Sequence, residues 1–335
     1  MQYRPLGTTG MQVSSLCLGT MVLGAWGNPD HDDCVRVVHR ALDAGINIVD
    51  TADVYAAGET EEIVGRALQG RRDDVVLCTK FWNPMGEGPN QRGASRRWIV
   101  RALEASLRRL GTDWIDLYQV HRADPDVGMD ELVATLDDLV RQGKIRHAGT
   151  STWPAELLVE GRWAADRRRA HGFVSEQPPY SILARGVEAA VLPTCRRHGM
   201  GALVWAPLNG GWLTGKYRRD VAPPAGSRAD YAGEHMTSNA AKHDAVDALR
   251  EVAADAGLSL THLALAWVLE HPAVTSAIIG PKTPAQLADL VTLGDVRLGA
   301  DVLDRIDAIV APGTNLAAAD AGWVTWELDA ANRRR

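Results

Sequence analysis

The sequence predicts a parallel (β/α)8 barrel, a TIM barrel. Eight short apolar runs recur along the 335 residues, each followed by a longer stretch with helical spacing. The runs are apolar throughout rather than alternating, as strands covered on both faces must be. Polar residues of complementary chemistry also fall at three successive run ends, the side on which a parallel barrel collects its chemistry. A doubly wound sheet shares the alternation, but it usually opens with a Gly-rich turn after its first strand, and none follows residue 19.

The expected strands are 15–19, 46–50, 75–79, 115–120, 145–149, 173–176, 202–206 and 276–279. Before them, residues 1–14 carry a Gly-Thr-Thr-Gly turn between two extended pieces and read as a hairpin. Between the strands, 95–110 reads as a helix with Ser95 as N-cap and Ile99, Leu103, Leu107 and Leu110 on one face. Residues 129–142 read as another, with Leu132, Leu136, Leu139 and Val140 inward and Gly143 as the stop. Two excursions stand out, 207–239 after the seventh strand and 311–335 at the end. Long irregular segments often cover a site. The expectation is one barrel domain over 1–335, with 311–335 lying as a tail over the rim.

Composition narrows the function. With 36 basic and 42 acidic residues the net charge is −6, which gives no basic excess to hold a phosphate backbone, so nucleic acid is not an expected partner. No apolar run approaches the roughly 20 residues that span a bilayer, and residues 1–10 hold no apolar signal core. The four cysteines, Cys17, Cys34, Cys78 and Cys195, have no C-x-x-C spacing, which points to reduced thiols and a cytoplasmic setting. Cys17 and Cys78 read as core residues. No H-x-H or H-E-x-x-H occurs, and no metal is expected.

Asp50 ends the second strand, Tyr55 follows in its loop, Lys80 comes just after the third strand, and His121 just after the fourth. A phenol with a pKa of about 10 is a poor acid at neutral pH. A neighbouring ammonium favours phenolate and is expected to lower that pKa, while a carboxylate holds the ammonium in place. A histidine beside them can hydrogen-bond a carbonyl oxygen. Together they form a proton donor next to a polarised carbonyl, the requirement for hydride addition to C=O.

These residues, with NIVDTADVY at 47–55, TKFW at 79–82, YQVHR at 118–122, EQPPYS at 176–181, APLNGGWLTGKY at 206–217 and IIGPKTPAQL at 278–287, resemble the aldo-keto reductase superfamily, in the branch related to channel β-subunits. The resemblance covers nearly the whole chain in the family's order. It implies a (β/α)8 barrel that binds NADPH/NADP+ without a Rossmann fold and interconverts carbonyls and alcohols, with a small-molecule aldehyde or ketone as substrate. It makes Tyr55 the general acid, tuned by Lys80 and Asp50, with His121 orienting the carbonyl.

On the cofactor side the resemblance implies contacts from Gly19, Thr20 and Met21 after the first strand, and from Asp50. Ser151, Thr152 and Gln177 match the residues at the nicotinamide carboxamide, and Trp205 the aromatic under the ring. The segment with Pro207, Leu208, Gly210, Gly215 and Lys216 matches the stretch along the pyrophosphate. Gly280, Lys282, Thr283 and Gln286 match the adenosine end, with Lys282 and Thr283 near the 2′-phosphate. Three positions depart from the common pattern: Thr152 where Asn is common, Trp205 where Tyr is common, and Asp289-Leu290 where Glu-Asn often follows. Eleven tryptophans against two phenylalanines suggest an aromatic-rich pocket for a flat or sugar-like carbonyl compound, with Trp26, Trp82, Trp153 and Trp212 joining Tyr55, His121 and Arg122. Trp323 and Trp326 fall in the tail.

Two other readings compete. The run 210–217 lies one residue from a P-loop, but Tyr217 replaces the Mg²⁺-binding hydroxyl. A cofactor-bound regulatory subunit resembling channel β-subunits, with slow turnover, would carry the same four polar residues; no partner-binding extension marks one here. Nothing in the sequence opposes a homo-oligomer.

Overall fold

The structure, a computed structural model, describes residues 1–233, 236–322 and 326. It opens with the hairpin β1 (Tyr3–Pro5) and β2 (Gln12–Ser14), paired antiparallel with Tyr3 opposite Ser14. Eight strands then close a parallel barrel: β3 (Leu16–Gly19), β4 (Ile48–Asp50), β5 (Val76–Phe81), β6 (Ile115–Val120), β7 (Ile145–Ser151), β8 (Phe173–Gln177), β9 (Gly201–Val204) and β10 (Val274–Ile279). They neighbour one another in chain order, and β10 returns to pair with β3. This is the (β/α)8 barrel with an N-terminal hairpin that the sequence predicts.

The helices cover the barrel's outside. They are α1 (His31–Asp43), α2 (Glu59–Ala67), α3 (Arg96–Leu110), α4 (Met129–Arg141), α5 (Ala155–Arg168), α6 (Val191–Arg197), α7 (Arg228–Ala232), α8 (Ala240–Asp255), α9 (Leu260–Glu270), α10 (Pro284–Val291) and α11 (Ala300–Ile309). The Ser95 hydroxyl caps α3 by accepting from Trp98 N, and Gly111 (φ 61°) ends it. α7 and a 3₁₀ turn at Asn209–Thr214 break up the 207–239 excursion, which is thus less irregular than expected. Among the described residues no single helix is long and apolar enough to cross a membrane.

Strand periodicity explains where the chemistry goes. Leu16, Leu18, Val49 and Leu77 face outward into the large core under the helices. Cys17, Ile48, Cys78, Leu117 and Leu203 face inward and pack with Leu6 and Val13 of the hairpin, which plug the barrel floor. Successive side chains on a strand alternate faces, so Asp50, Lys80 and Gln119 stand on the inner face one step above Ile48, Cys78 and Leu117. Gly7 (φ 54°) makes the plug fit: a Cβ there would meet the Gly199 carbonyl oxygen at 2.6 Å.

Candidate active site

At the C-terminal rim, Lys80 Nζ donates to Asp50 Oδ2 at 2.6 Å, to the Thr51 carbonyl at 2.9 Å and to Tyr55 Oη at 3.4 Å. Lys80 and Asp50 are fully or almost fully buried. Burial works against the Lys80 charge, but the Asp50 carboxylate overrides it and holds the ammonium above its ordinary pKa. Asp50 Oδ1 accepts from Gln177 Nε2 at 2.8 Å and from Gln119 Nε2 at 3.1 Å. One carboxylate thereby joins β4, β5, β6 and β8. Gln119 carries no signal in the sequence beyond its place two residues before His121.

The expectation for Tyr55 is corrected in sign. Lys80 does pull the phenol pKa down, but burial pushes it up more strongly and Asp50 adds to that push, so Tyr55 sits above its ordinary value. A buried ammonium already neutralised by a carboxylate is a weak acidifier.

His121 stands edge-on to Tyr55, with ring centroids 6.1 Å apart. Burial, then the cations Lys80 and Arg122, lower its pKa well below the ordinary value, so the imidazole is neutral at physiological pH. Its Nδ1 lies 2.9 Å from Asn83 Nδ2. Arg122 Nη1 donates to the His121 carbonyl at 2.8 Å and to Thr152 Oγ1 at 2.9 Å.

Non-glycine residues with left-handed φ gather on this rim: Ala56 and Ala57 after Tyr55, Trp82 after β5, Thr152 after β7, and Ala206 and Asn209 after β9. Such strain persists where the surrounding structure over-determines it, and it clusters at functional sites.

The expected pocket tryptophans divide. Trp26 is 47% exposed, with its ring 6.1 Å from Tyr55, and Trp82 is half-buried in the loop after β5. Trp153 and Trp212 are almost wholly buried, although Trp153 borders the cleft beyond Thr152. Trp153 is 2% exposed and packs edge-on against Phe173; Trp212 is 1% exposed and packs against Tyr217 and His243. Both lie next to strand ends in sequence, but each turns into the packing of its own loop. A cleft of about 260 Å³ lies beyond Thr152, between the start of α5 and the tail, and none of Asp50, Tyr55, Lys80 and His121 lines it.

The expected cofactor residues lie at the ends of β3, β4, β7 and β8, on the loops after β3, β7, β9 and β10, and at the start of α10. Thr20 donates its hydroxyl to the Asp50 carbonyl, which ties the loop after β3 to β4. Gly19 has a packing reason of its own, since a Cβ there would lie 2.5 Å from Ile278 Cγ2. Ser151 Oγ donates to the Gln177 carbonyl at 3.1 Å. The Thr152 hydroxyl is already an acceptor from both Arg122 and Trp205 Nε1, the latter at 3.2 Å. Five residues from Ala206 to Gly215 have left-handed φ, so the β9 loop is built of tight turns, with Asn209 N and Gly211 N donating to the Ala206 and Leu208 carbonyls. Lys216 has its pKa lowered by burial and then by the Lys282 cation, whose ammonium donates to the Gly226 carbonyl at 2.8 Å. Thr283 caps α10, accepting from Gln286 N, and Gln286 Oε1 accepts from Lys282 N. These features fit a dinucleotide laid across the rim from Trp205 to α10.

The described part of the tail runs over this loop. Asp320 pairs with Lys242 at 2.7 Å and accepts from Asn209 at 3.1 Å. A Cβ on Gly322 would come within 2.9 Å of both Thr152 Cγ2 and Trp205 Cζ2. Trp323 lies outside the described residues.

A parallel barrel whose rim holds a buried carboxylate–ammonium–phenol contact beside an imidazole points to the oxidoreductase barrels. The chain is a member of the aldo/keto reductase family, whose model matches residues 15–311. It is 39% identical over 321 residues to "Uncharacterized oxidoreductase YrpG" of Bacillus subtilis, covering 92% of this chain and 96% of that protein. It is 37% identical to a "Probable voltage-gated potassium channel subunit beta" of Arabidopsis thaliana, over 92% and 97% of the two chains. It is 33% identical to "Aldo-keto reductase YhdN" of Bacillus subtilis, over 92% and 94%.

Proposed function

We propose that the protein is an NADPH-dependent oxidoreductase that reduces an aldehyde or ketone to an alcohol. The supporting observation is the Lys80 ammonium held between Asp50 and Tyr55. When bound, the reduced nicotinamide supplies a hydride to the carbonyl carbon. The chain's residues manage the oxygen. Tyr55 Oη gives its proton to the oxygen as negative charge develops there, Lys80 stabilises the phenolate left behind, and solvent returns the proton. His121, being neutral, hydrogen-bonds the carbonyl rather than protonating it.

In this reading Ser151, Gln177 and Thr152 meet the carboxamide, and Trp205 lies under the ring. Thr152 does so with a hydroxyl already shared with Arg122 and Trp205. Pro207, Leu208, Gly210, Gly215 and Lys216 follow the pyrophosphate. Gly280, Lys282, Thr283 and Gln286 take the adenosine end, with Lys282 toward the 2′-phosphate, and Gly19, Thr20 and Met21 border the site. Trp26, Trp82 and Arg122 line the substrate side, which suits a ketosugar or another carbonyl with flat faces. The oxidoreductase names of two relatives support the reading, and it takes the whole chain as one barrel domain.

The relatives named as channel β-subunits favour a second reading, a cofactor-bound regulatory subunit with slow turnover. Following NADPH absorbance against a panel of aldehydes, ketones and ketosugars separates the two. Turnover of any class supports the reductase; tight NADPH binding with no turnover across the panel transfers the assignment to the regulatory subunit.

A further inference from the structure

The residue that faces the far side of His121 is Asn83. β5 ends at Phe81, and the chain leaves the barrel through Trp82, whose φ of 129° is one that residues with side chains rarely adopt. Gly93 N holds the Trp82 carbonyl at 2.7 Å and fixes this corner. The corner brings Asn83 to His121, 38 residues further along the chain, where Asn83 Nδ2 lies 2.9 Å from His121 Nδ1.

An amide nitrogen has hydrogens to give and no lone pair to accept with. The imidazole nitrogen facing it must therefore be the one that carries the lone pair. A neutral imidazole has one ring proton, which is then on Nε2. The charged groups facing the ring are Lys80 from β5 and Arg122 beside it on the β6 loop, both cations; Tyr55 presents its ring, and no ion pair among the described residues includes His121. Nothing around the ring therefore favours imidazolium, and the tautomer is set by the Asn83 contact.

We propose that Asn83 is a positioning residue that holds His121 as the Nε2–H tautomer, so that the imidazole offers a hydrogen, not a lone pair, to the substrate carbonyl. The catalytic half of this statement rests on the carbonyl-reducing reading above. The tautomer half does not. With the proton on Nδ1 instead, the Nε2 lone pair would face the oxygen on which negative charge develops, and the two would repel.

The test begins with the unaltered protein. Ring ¹⁵N chemical shifts of His121, assigned by comparison with His121→Phe, report which nitrogen is protonated without any turnover. The expected result is a protonated Nε2 and a lone-pair Nδ1. Asn83→Asp places an acceptor opposite Nδ1, so the proton should move there and imidazolium should be favoured. Reduction should then fall about 10²- to 10³-fold in kcat, the loss expected when a donor to a developing oxyanion is removed. It should also acquire an acid limb as His121 protonates, with little change in KM for NADPH. Asn83→Leu should give mixed tautomers and an intermediate rate. A wild-type ring protonated on Nδ1 overturns the proposal, as does a tautomer unmoved in both variants. If the shifts move as expected but the parent reduces no carbonyl, the reductase reading fails while the Asn83–His121 relation stands.

Discussion

Thr152 takes a 2.9 Å hydrogen bond from Arg122 while holding a left-handed backbone, with φ of 59°. A β-branched residue in that conformation is a genuine outlier, whereas Asn enters it readily. The Arg122 guanidinium and the Trp205 indole, donating to the same hydroxyl, help hold the strained turn beside Ser151.

The strain gives the first prediction. Left-handed non-glycine residues cost of the order of 1–3 kcal/mol each. Thr152→Asn keeps an acceptor for Arg122 and removes much of that cost. It should stabilise the protein by about 1 kcal/mol, read as a higher denaturant midpoint at unchanged slope. An unchanged or lower midpoint would show that the Thr152 methyl, pressed by Gly322, contributes more than the strain costs.

Tyr55→Phe removes one hydroxyl and little volume. Turnover should fall by about 10²–10⁴-fold, the usual contribution of a general acid, with NADPH binding retained by fluorescence titration. Reduction at near the parent rate would remove Tyr55 from its assigned role.

Lys80→Met should be equally slow, but it should also unfold more easily. It leaves the Asp50 carboxylate buried without its ammonium, and breaking such a pair typically costs about 3–5 kcal/mol. Comparing the melting of the two variants checks this: Tyr55→Phe should melt near the parent and Lys80→Met well below it.

Lys282→Ala should weaken NADPH binding and spare NADH. A hydrogen bond to a charged group is worth about 1.5–3 kcal/mol, which corresponds to roughly ten- to hundredfold in affinity. Equal weakening for both nucleotides, measured by equilibrium titration, would place Lys282 away from the 2′-phosphate.

Asp53 gives a pH dependence of known sign. Its carboxylate is fully buried with no side-chain hydrogen-bond partner among the described residues, and burial, reinforced by Glu61, raises its pKa to about 8. In the unfolded chain it ionises near pH 4. Between those values the native state holds the extra proton, so Asp53 makes stability fall as pH rises from about 4 to about 8. Asp53→Asn should flatten that decline in denaturant midpoints measured across the range. A parallel curve for the variant would assign the slope to other groups.

The sequence alone was enough to bring Asp50, Lys80 and His121 to one rim, for a geometric reason. Parallel strands of two-residue period carry Asp50, Lys80 and His121 to one rim whatever the exact strand limits, so the small differences at the strand ends moved none of them. Side chains on loops had no such constraint. Trp153 and Trp212 follow strand ends just as Trp82 does, yet they turn inward because Phe173 and the Tyr217–His243 pair offer them packing from far along the chain. Asn83 was illegible for the same reason: its partner is 38 residues away, and the bend at Trp82 that joins them leaves no mark in composition. The balance of burial against charge at Tyr55 likewise needed coordinates, because it depends on how completely Asp50 neutralises Lys80.

The Asp50 carboxylate binds side chains from three other strands of the barrel wall, so the centre proposed for the reaction exists only while that wall is closed. A barrel opened along any of those seams has no partly working site to fall back on. Turnover then becomes a gauge of closure. Loosening of outer helices alone leaves the rate in place, and loss of the rate marks the moment the ring of strands parts.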